Sequence, residues 1–148
     1  MIQREVNATG RVISIDIRDM VERNKLSPSL RDRIDFVVGS SVDPRLVSQV
    51  EGKVKGKTVL VILDSAHDRS HVLKELMAYA PMVSVGSYMV VQDTNINGHP
   101  IVIVNEPGPG PMEAVEDFLA VNSSFRADRS RERLLFTAHP RGYLRRLR

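Results

Sequence analysis

The sequence predicts an α/β protein built on a mostly parallel sheet, with an antiparallel hairpin at its carboxyl end. Three observations lead there. Short apolar runs end repeatedly in acidic or small-residue turns, amphipathic helical stripes alternate with those runs, and the last two runs are separated only by the turn Pro140–Gly142. Alternating strands and helices make parallel strands with helices on the sheet faces, whereas a short polar turn joins strands antiparallel. The resulting order is β-α-β-α-β-α-β-α-β-β.

The central stretch, Lys57 to Gly98, reads KTVLVILDSAHDRSHVLKELMAYAPMVSVGSYMVVQDTNING. Val59–Leu63 is short and rich in branched residues, which predicts a strand buried on both faces and ending at Asp64. His71–Ala80 places Val72, Leu73, Leu76, Tyr79 and Ala80 on one helical stripe, with Lys74, Glu75 and Ala78 turned away. Pro81 stops that helix. Ser87–Val91 reads as a second buried strand, ending at Gln92-Asp93. Strand, helix and strand make a right-handed parallel unit. Ligands of open α/β sheets bind beyond the carboxyl ends of the strands, where Asp64 and Asp93 both fall. Ends of neighbouring strands lie roughly 5 Å apart. Two carboxylates that close repel unless a cation or a basic group lies between them.

The flanking elements follow in order. Arg11–Ile17 (RVISIDI) is an apolar strand containing Asp16, and Met20–Arg33 a loop with a short helix around Pro28. Ile34–Val38 is a strand closed by Gly39, Ser40 and Ser41. Asp43 caps a helix with Pro44 at its first position and Leu46, Val47 and Val50 as its stripe. Gly52–Lys57 reads as a turn. After Gly98 come a loop, Ile101–Val104, and the rigid run Pro107–Pro111, whose last proline suits a helix start. Met112, Val115, Phe118 and Leu119 form that helix's buried face. Phe125 begins a segment ending in the strand Arg133–Thr137, which pairs with Tyr143–Leu147 in the expected hairpin.

Bulk properties narrow the class. One domain spanning 1–148 is the expectation for 148 residues. The hydrophobic fraction of 42% and charged fraction of 26% are ordinary for a globular protein. No run has membrane-spanning length, and the amino end, MIQREVNATG, is too polar for a signal peptide. Without cysteine, a disulfide framework and a thiolate metal site are excluded, which fits the cytoplasm. Net charge is only +3, and the basic carboxyl end lacks interleaved aromatics, so no nucleic-acid partner is expected.

The stretches VILDSAHDRSHVLKELMAYAPMVSVGSYMVVQDTNINGHP, GPGPMEAVEDFL and LLFTAHPRGYLRR closely resemble the cephalosporin hydroxylase family, which also contains rhamnosyl O-methyltransferases. The likeness runs from about Val12 to the end. It implies a Rossmann-like class I methyltransferase that binds S-adenosylmethionine and a divalent metal, usually Mg²⁺, and acts on a sugar, lipid-linked sugar or other small-molecule hydroxyl. By resemblance, Asp16 accepts hydrogen bonds from the cofactor ribose, and Gly39, Ser40 and Ser41 border the adenine. Asp64 belongs both to the cofactor-facing set and, with Gln92 and Asp93, to the metal ligands. His67 stands near the metal as the base that takes the acceptor's proton.

Two departures qualify this. Relatives read Glu-Asp where this chain has Gln92-Asp93, so one negative charge is lost from the metal turn. The family's first strand and glycine-rich turn also have no counterpart in the ten residues before RVISIDI. In the family that strand lies between those ending at Asp16 and Asp64. The chain therefore reads as an amino-terminally truncated domain. A truncated reading frame, a partner chain or second copy that supplies the strand, or a sheet that closes up are the alternatives. A non-catalytic subunit or decayed remnant is the competing function. A hydroxylase component ranks below it, because His67, His71 and Asp64 lack the usual His-x-Asp spacing of iron(II) oxygenases. The remaining histidines, His71 in a first turn and His99 and His139 beside prolines, carry no expected role.

Overall fold

A computed structural model describes residues 10–19, 21–101, 108–132 and 137–148. Six strands are described: β1 (Val12–Asp16), β2 (Ile34–Val38), β3 (Val61–Leu63), β4 (Tyr88–Val91), β5 (Phe125–Ala127) and β6 (Tyr143–Arg146). Four α-helices join them: α1 (Pro28–Arg31), α2 (Pro44–Val54), α3 (Arg69–Tyr79) and α4 (Pro111–Val121). The strands form two sheets. β1 and β2 pair in parallel, with Val12 opposite Ile34 and Asp16 opposite Val38. The second sheet runs β3-β4-β6-β5, with β3 and β4 parallel and the pairs β4–β6 and β6–β5 antiparallel.

The helices start where side chains satisfy their first amides. Asp43 accepts from the amides of Arg45 and Leu46, and Pro44 occupies the first turn, where a missing N–H costs nothing. Asp68 caps α3 through the His71 amide. At α4, Pro111 again leads, and the Glu113 carboxylate reaches back to the Gly110 amide. Gly52 and Lys53 lie inside α2, which therefore runs about one turn past the expected stripe; a single helical glycine does not end a helix whose Leu46 and Val50 are buried.

The core lies between the four-stranded sheet and the packed pair α3 and α4. Leu76, Val83, Met89, Ala114, Val115, Phe118 and Leu144 have no exposed surface. Phe118 meets Phe125 of β5 edge to face at 5.5 Å between ring centroids. Burying a side chain of that size stabilises by roughly 1.5–3 kcal/mol. The smaller sheet joins this core through Ile13, Ile15 and Val37 and through Leu46 and Val50 of α2.

Three expectations need correction. β3 is shorter than Val59–Leu63 and is not buried on both faces: it is an edge strand, with Leu60 54% and Ile62 57% exposed. The antiparallel partner of β6 is β5, three residues long, together with β4. Arg133–Phe136 of the expected strand, like Val102–Pro107, lie outside the described residues, and Thr137 is not in a strand. Glu75, expected on the outer face of α3, is only 2% exposed. Among the described residues no helix is long and apolar enough to cross a membrane.

Candidate active site at the carboxyl ends of β3 and β4

Parallel pairing puts Leu63 opposite Val91, so the turns that follow β3 and β4 emerge side by side. The Gln92 amide donates to the Leu63 carbonyl at 3.0 Å and extends that pairing to the last residue before Asp93. Asp64, His67 and Asp93 each offer a ligand atom, and these atoms lie within 4.8 Å of one another. His67 Nε2 stands 3.3 Å from Asp93 Oδ2. This is the donor set of a hard or borderline divalent cation: two carboxylate oxygens and an imidazole. The residues therefore fit a metal, and His67, expected near it, lies within reach of both carboxylates.

Asp93 has φ of 53°, a left-handed conformation that aspartate tolerates better than most residues. Its amide donates to His139 Nδ1 at 2.9 Å. Thr94 donates its hydroxyl to the Pro140 carbonyl at 2.7 Å, and the Val91 amide donates to the Gly142 carbonyl at 2.8 Å. The turn before β6 thus backs the turn after β4. His139, to which the sequence assigned nothing, is a support of the candidate site. Its partner lies 46 residues away, so no local pattern could have marked it.

The β3–α3 turn is held from the other side. Arg69 makes a two-pronged bridge to Asp117 of α4, at 2.6 and 2.8 Å, and its amide donates to the Pro109 carbonyl. Hydrogen bonding to Arg69 keeps the Asp117 carboxyl below its usual range. A cleft of about 440 Å³ opens next to His67, lined also by Ser65, Asn97, Gly108 and Pro109. Gly110 packs so tightly on the Asn97 amide that a Cβ there would overlap it. The side-chain oxygens of Asn95 and Asn97 are buried without a hydrogen-bond partner among the described residues. His99, also without an expected role, meets Glu113 at 2.7 Å. Burial pushes the Glu113 carboxyl up, but His99 and the Gly110 amide outweigh it and hold it below its usual value.

The other expected residues lie apart from this cluster. Asp16 ends β1 in the smaller sheet, and its carboxylate accepts from the Arg18 amide at 2.9 Å. Gly39 donates its amide to the Asp16 carbonyl, so the Gly39–Ser41 loop adjoins Asp16. Ser41 is tied to α3 instead: its hydroxyl lies 3.2 Å from His71 Nε2, and its carbonyl accepts from Tyr79 at 2.8 Å. His71 is therefore no plain surface residue. It is not among the clustered ligand atoms, so the two-histidine set of an iron oxygenase does not form among the described residues.

The family described as rhamnosyl O-methyltransferase/CmcI matches residues 1–147. Rhamnosyl O-methyltransferase of Mycobacterium bovis (strain BCG / Pasteur 1173P2) is 36% identical over 152 residues, covering 97% of this chain and 58% of the relative. The Mycobacterium leprae (strain TN) protein of the same name is 33% identical over 121 residues, covering 79% and 50%. The chain thus spans a little over half the length of the curated relatives it matches. Among solved structures, the MycE methyltransferase from the mycinamycin biosynthetic pathway, in complex with Mg and SAH, superposes with a TM-score of 0.50 at 19% identity. That superposition covers 73% of this chain and 27% of the other, and what it shows in common is the fold. With a match from the first residue to the last but one, on a methyltransferase-type sheet with its acidic turns side by side, this chain belongs to the rhamnosyl O-methyltransferase/CmcI family.

Proposed function

We propose that the protein acts as an S-adenosylmethionine-dependent, metal-assisted O-methyltransferase on a hydroxyl of a sugar or lipid-linked sugar. The observation that carries this reading is the convergence of Asp64, His67 and Asp93 at adjacent parallel strand ends, in a family whose relatives are named for sugar O-methylation. Asp64 and Asp93, with Gln92 beside them, would hold Mg²⁺ or another divalent ion. When bound, that ion would supply charge to orient acceptor oxygens and to lower the pKa of a hydroxyl. His67 would take the proton from the acceptor hydroxyl, and S-adenosylmethionine, when bound, would supply the methyl group to that oxygen with its sulfonium becoming a neutral thioether. Asp16 would accept from the ribose hydroxyls of the cofactor, and the loop of Gly39, Ser40 and Ser41 would border its base. His139 and Arg69 hold the two turns in register, so that the reacting groups meet without further ordering.

The free edges of β1 and β3 support a second element of this reading. Each strand has a single neighbour among the described residues, and Val12 of β1 and Ile62 of β3 are more than half exposed, as is Leu60 just before β3. A further strand, from a partner or a second copy of the chain, pairs there and completes the sheet between Asp16 and Asp64. We place the protein in the cytoplasm, which its lack of cysteine fits.

The test is Mg²⁺-dependent stabilisation and methyl transfer in the wild type and in Asp64→Asn and Asp93→Asn. At 100 times its dissociation constant, a bound ion adds about 2.7 kcal/mol to unfolding. Both variants lose that increment, together with transfer of labelled methyl from S-adenosylmethionine to a rhamnoside. Equal stabilisation and equal transfer in both variants overturn the assignment.

A further inference from the structure

A carboxylate in a protein interior is costly unless its oxygens are satisfied. Glu75 is the one acidic residue buried among the described residues, at 2% exposure. Ser65, next to Asp64, donates its hydroxyl to Glu75 Oε2 at 2.8 Å. His71 Nε2 faces Glu75 Oε1 at 3.5 Å, and the same nitrogen lies 3.2 Å from Ser41 Oγ. One turn further along α3, Tyr79 donates to the Ser41 carbonyl at 2.8 Å. Burial, and then the Glu75 charge, push the Tyr79 hydroxyl up to about 12, so it remains a donor at neutral pH. Residues 71, 75 and 79 are spaced four apart and share a face of the helix. That face joins the turn after β3 in one sheet to the loop after β2 in the other.

We propose that Glu75 and His71 are positioning residues that relay the state of the Asp64 cluster to Ser41, through Ser65, the Glu75 carboxylate and the His71 ring. This rests on the metal reading given above and adds to it a coupling between the metal turn and the loop proposed to border the cofactor. Binding at one end that shifts Ser65 shifts Ser41, and by linkage an adenosyl ligand held at Ser41 changes affinity for the ion by the same factor. Satisfaction of the carboxylate explains why it is buried; the branch from His71 to Ser41 is what makes the arrangement more than local packing.

Amide spectra of the isotopically labelled full chain, titrated with MgCl₂, test this without turnover. In the wild type, the amides of Asp64, Asp93, Ser40 and Ser41 move along one saturation curve. In Glu75→Gln, the amides of Asp64 and Asp93 still respond, and the displacement at Ser41 falls to less than half. Ser41→Ala, which cuts the relay at its surface end, gives the same loss at Ser40 should the buried variant fail to fold. No response at Asp64 and Asp93 in the wild type refutes the metal reading itself. A response there with Ser41 unmoved, or Ser40 displacements unchanged in Ser41→Ala, refutes the relay alone.

Discussion

Gly142→Ala is the substitution for which the structure gives the clearest magnitude. A Cβ at Gly142 would lie under 3.0 Å from the Val91 carbonyl oxygen, closer than real Cβ atoms approach, and 3.2 Å from the Cβ of His139. The first obstacle is β4 backbone and cannot rotate away. The Gly142 carbonyl also accepts the Val91 amide, and its own amide donates to the His139 carbonyl, so retreat of the turn stretches both bonds. Overpacking costs about 1–3 kcal/mol, and one lost backbone hydrogen bond about 1 kcal/mol more. A loss of about 2–4 kcal/mol is expected, which in a domain of this size lowers Tm by roughly 5–15 °C. Because His139 holds the Asp93 amide, the metal site proposed above should also lose affinity for Mg²⁺. The control is Gly52→Ala in α2, where nothing lies within 4 Å of the added methyl. There the loss of backbone freedom in the unfolded chain stabilises by about 0.4–1 kcal/mol. Urea unfolding of the two variants decides the matter. A Gly142→Ala protein within about 0.5 kcal/mol of the wild type would falsify the packing argument.

Two further predictions concern charge. Arg146 donates to the Pro81 carbonyl at 2.9 Å and also reaches those of Ala80 and Val83, capping the chain where α3 ends. Arg146→Ala should cost about 2 kcal/mol, as expected for hydrogen bonds to a charged group, while Arg145→Ala, exposed on the same strand, stays within about 0.5 kcal/mol. Equal unfolding midpoints for the two would remove Arg146 from the account. Glu113 has its carboxyl held below its ordinary value of 4.5. Its interaction with His99 and Gly110 therefore stabilises the fold above that value and is lost as pH falls through the lower, folded value. The stability gap between wild type and Glu113→Gln, measured by urea midpoints from pH 6 to pH 3, should close toward the acid end. A gap that widens there contradicts the sign.

Where local chemistry decides structure, the sequence was readable. Asp43-Pro44 starts α2 and Pro111 starts α4, because a carboxylate acceptor or a missing amide acts on the same turn. Ile34–Val38 and the acidic ends of β3 and β4 followed from apolar runs bounded by turn residues. The approach of Asp64 to Asp93 was legible to the same depth, because adjacent parallel strands bring their following turns together, whereas His67 was placed beside them by resemblance alone. What escaped depended on distant partners. Glu75 looks outward by charge, and only Ser65 and His71 make its burial tolerable. β5 is three residues, Phe125, Arg126 and Ala127, too short for an alternating pattern to register. Ile62 read as buried because its run is uniformly apolar, yet at the end of the sheet its side chain is largely uncovered.

The division of the strands into two sheets also sets how the molecule opens. Among the described residues β1 and β2 exchange strand hydrogen bonds only with each other, and two-stranded sheets have little stability of their own. Among the described residues their hold on the remainder runs through Ile13, Ile15 and Val37, through α2 and through the two contacts at Ser41. Such a unit separates at a smaller free energy than the β4–β6 ladder beneath α3 and α4. Amide protons of Ile13–Ile15 should then exchange with solvent through partial unfolding, hours ahead of those of Met89 and Leu144, and a strand seated against β1 would slow them first.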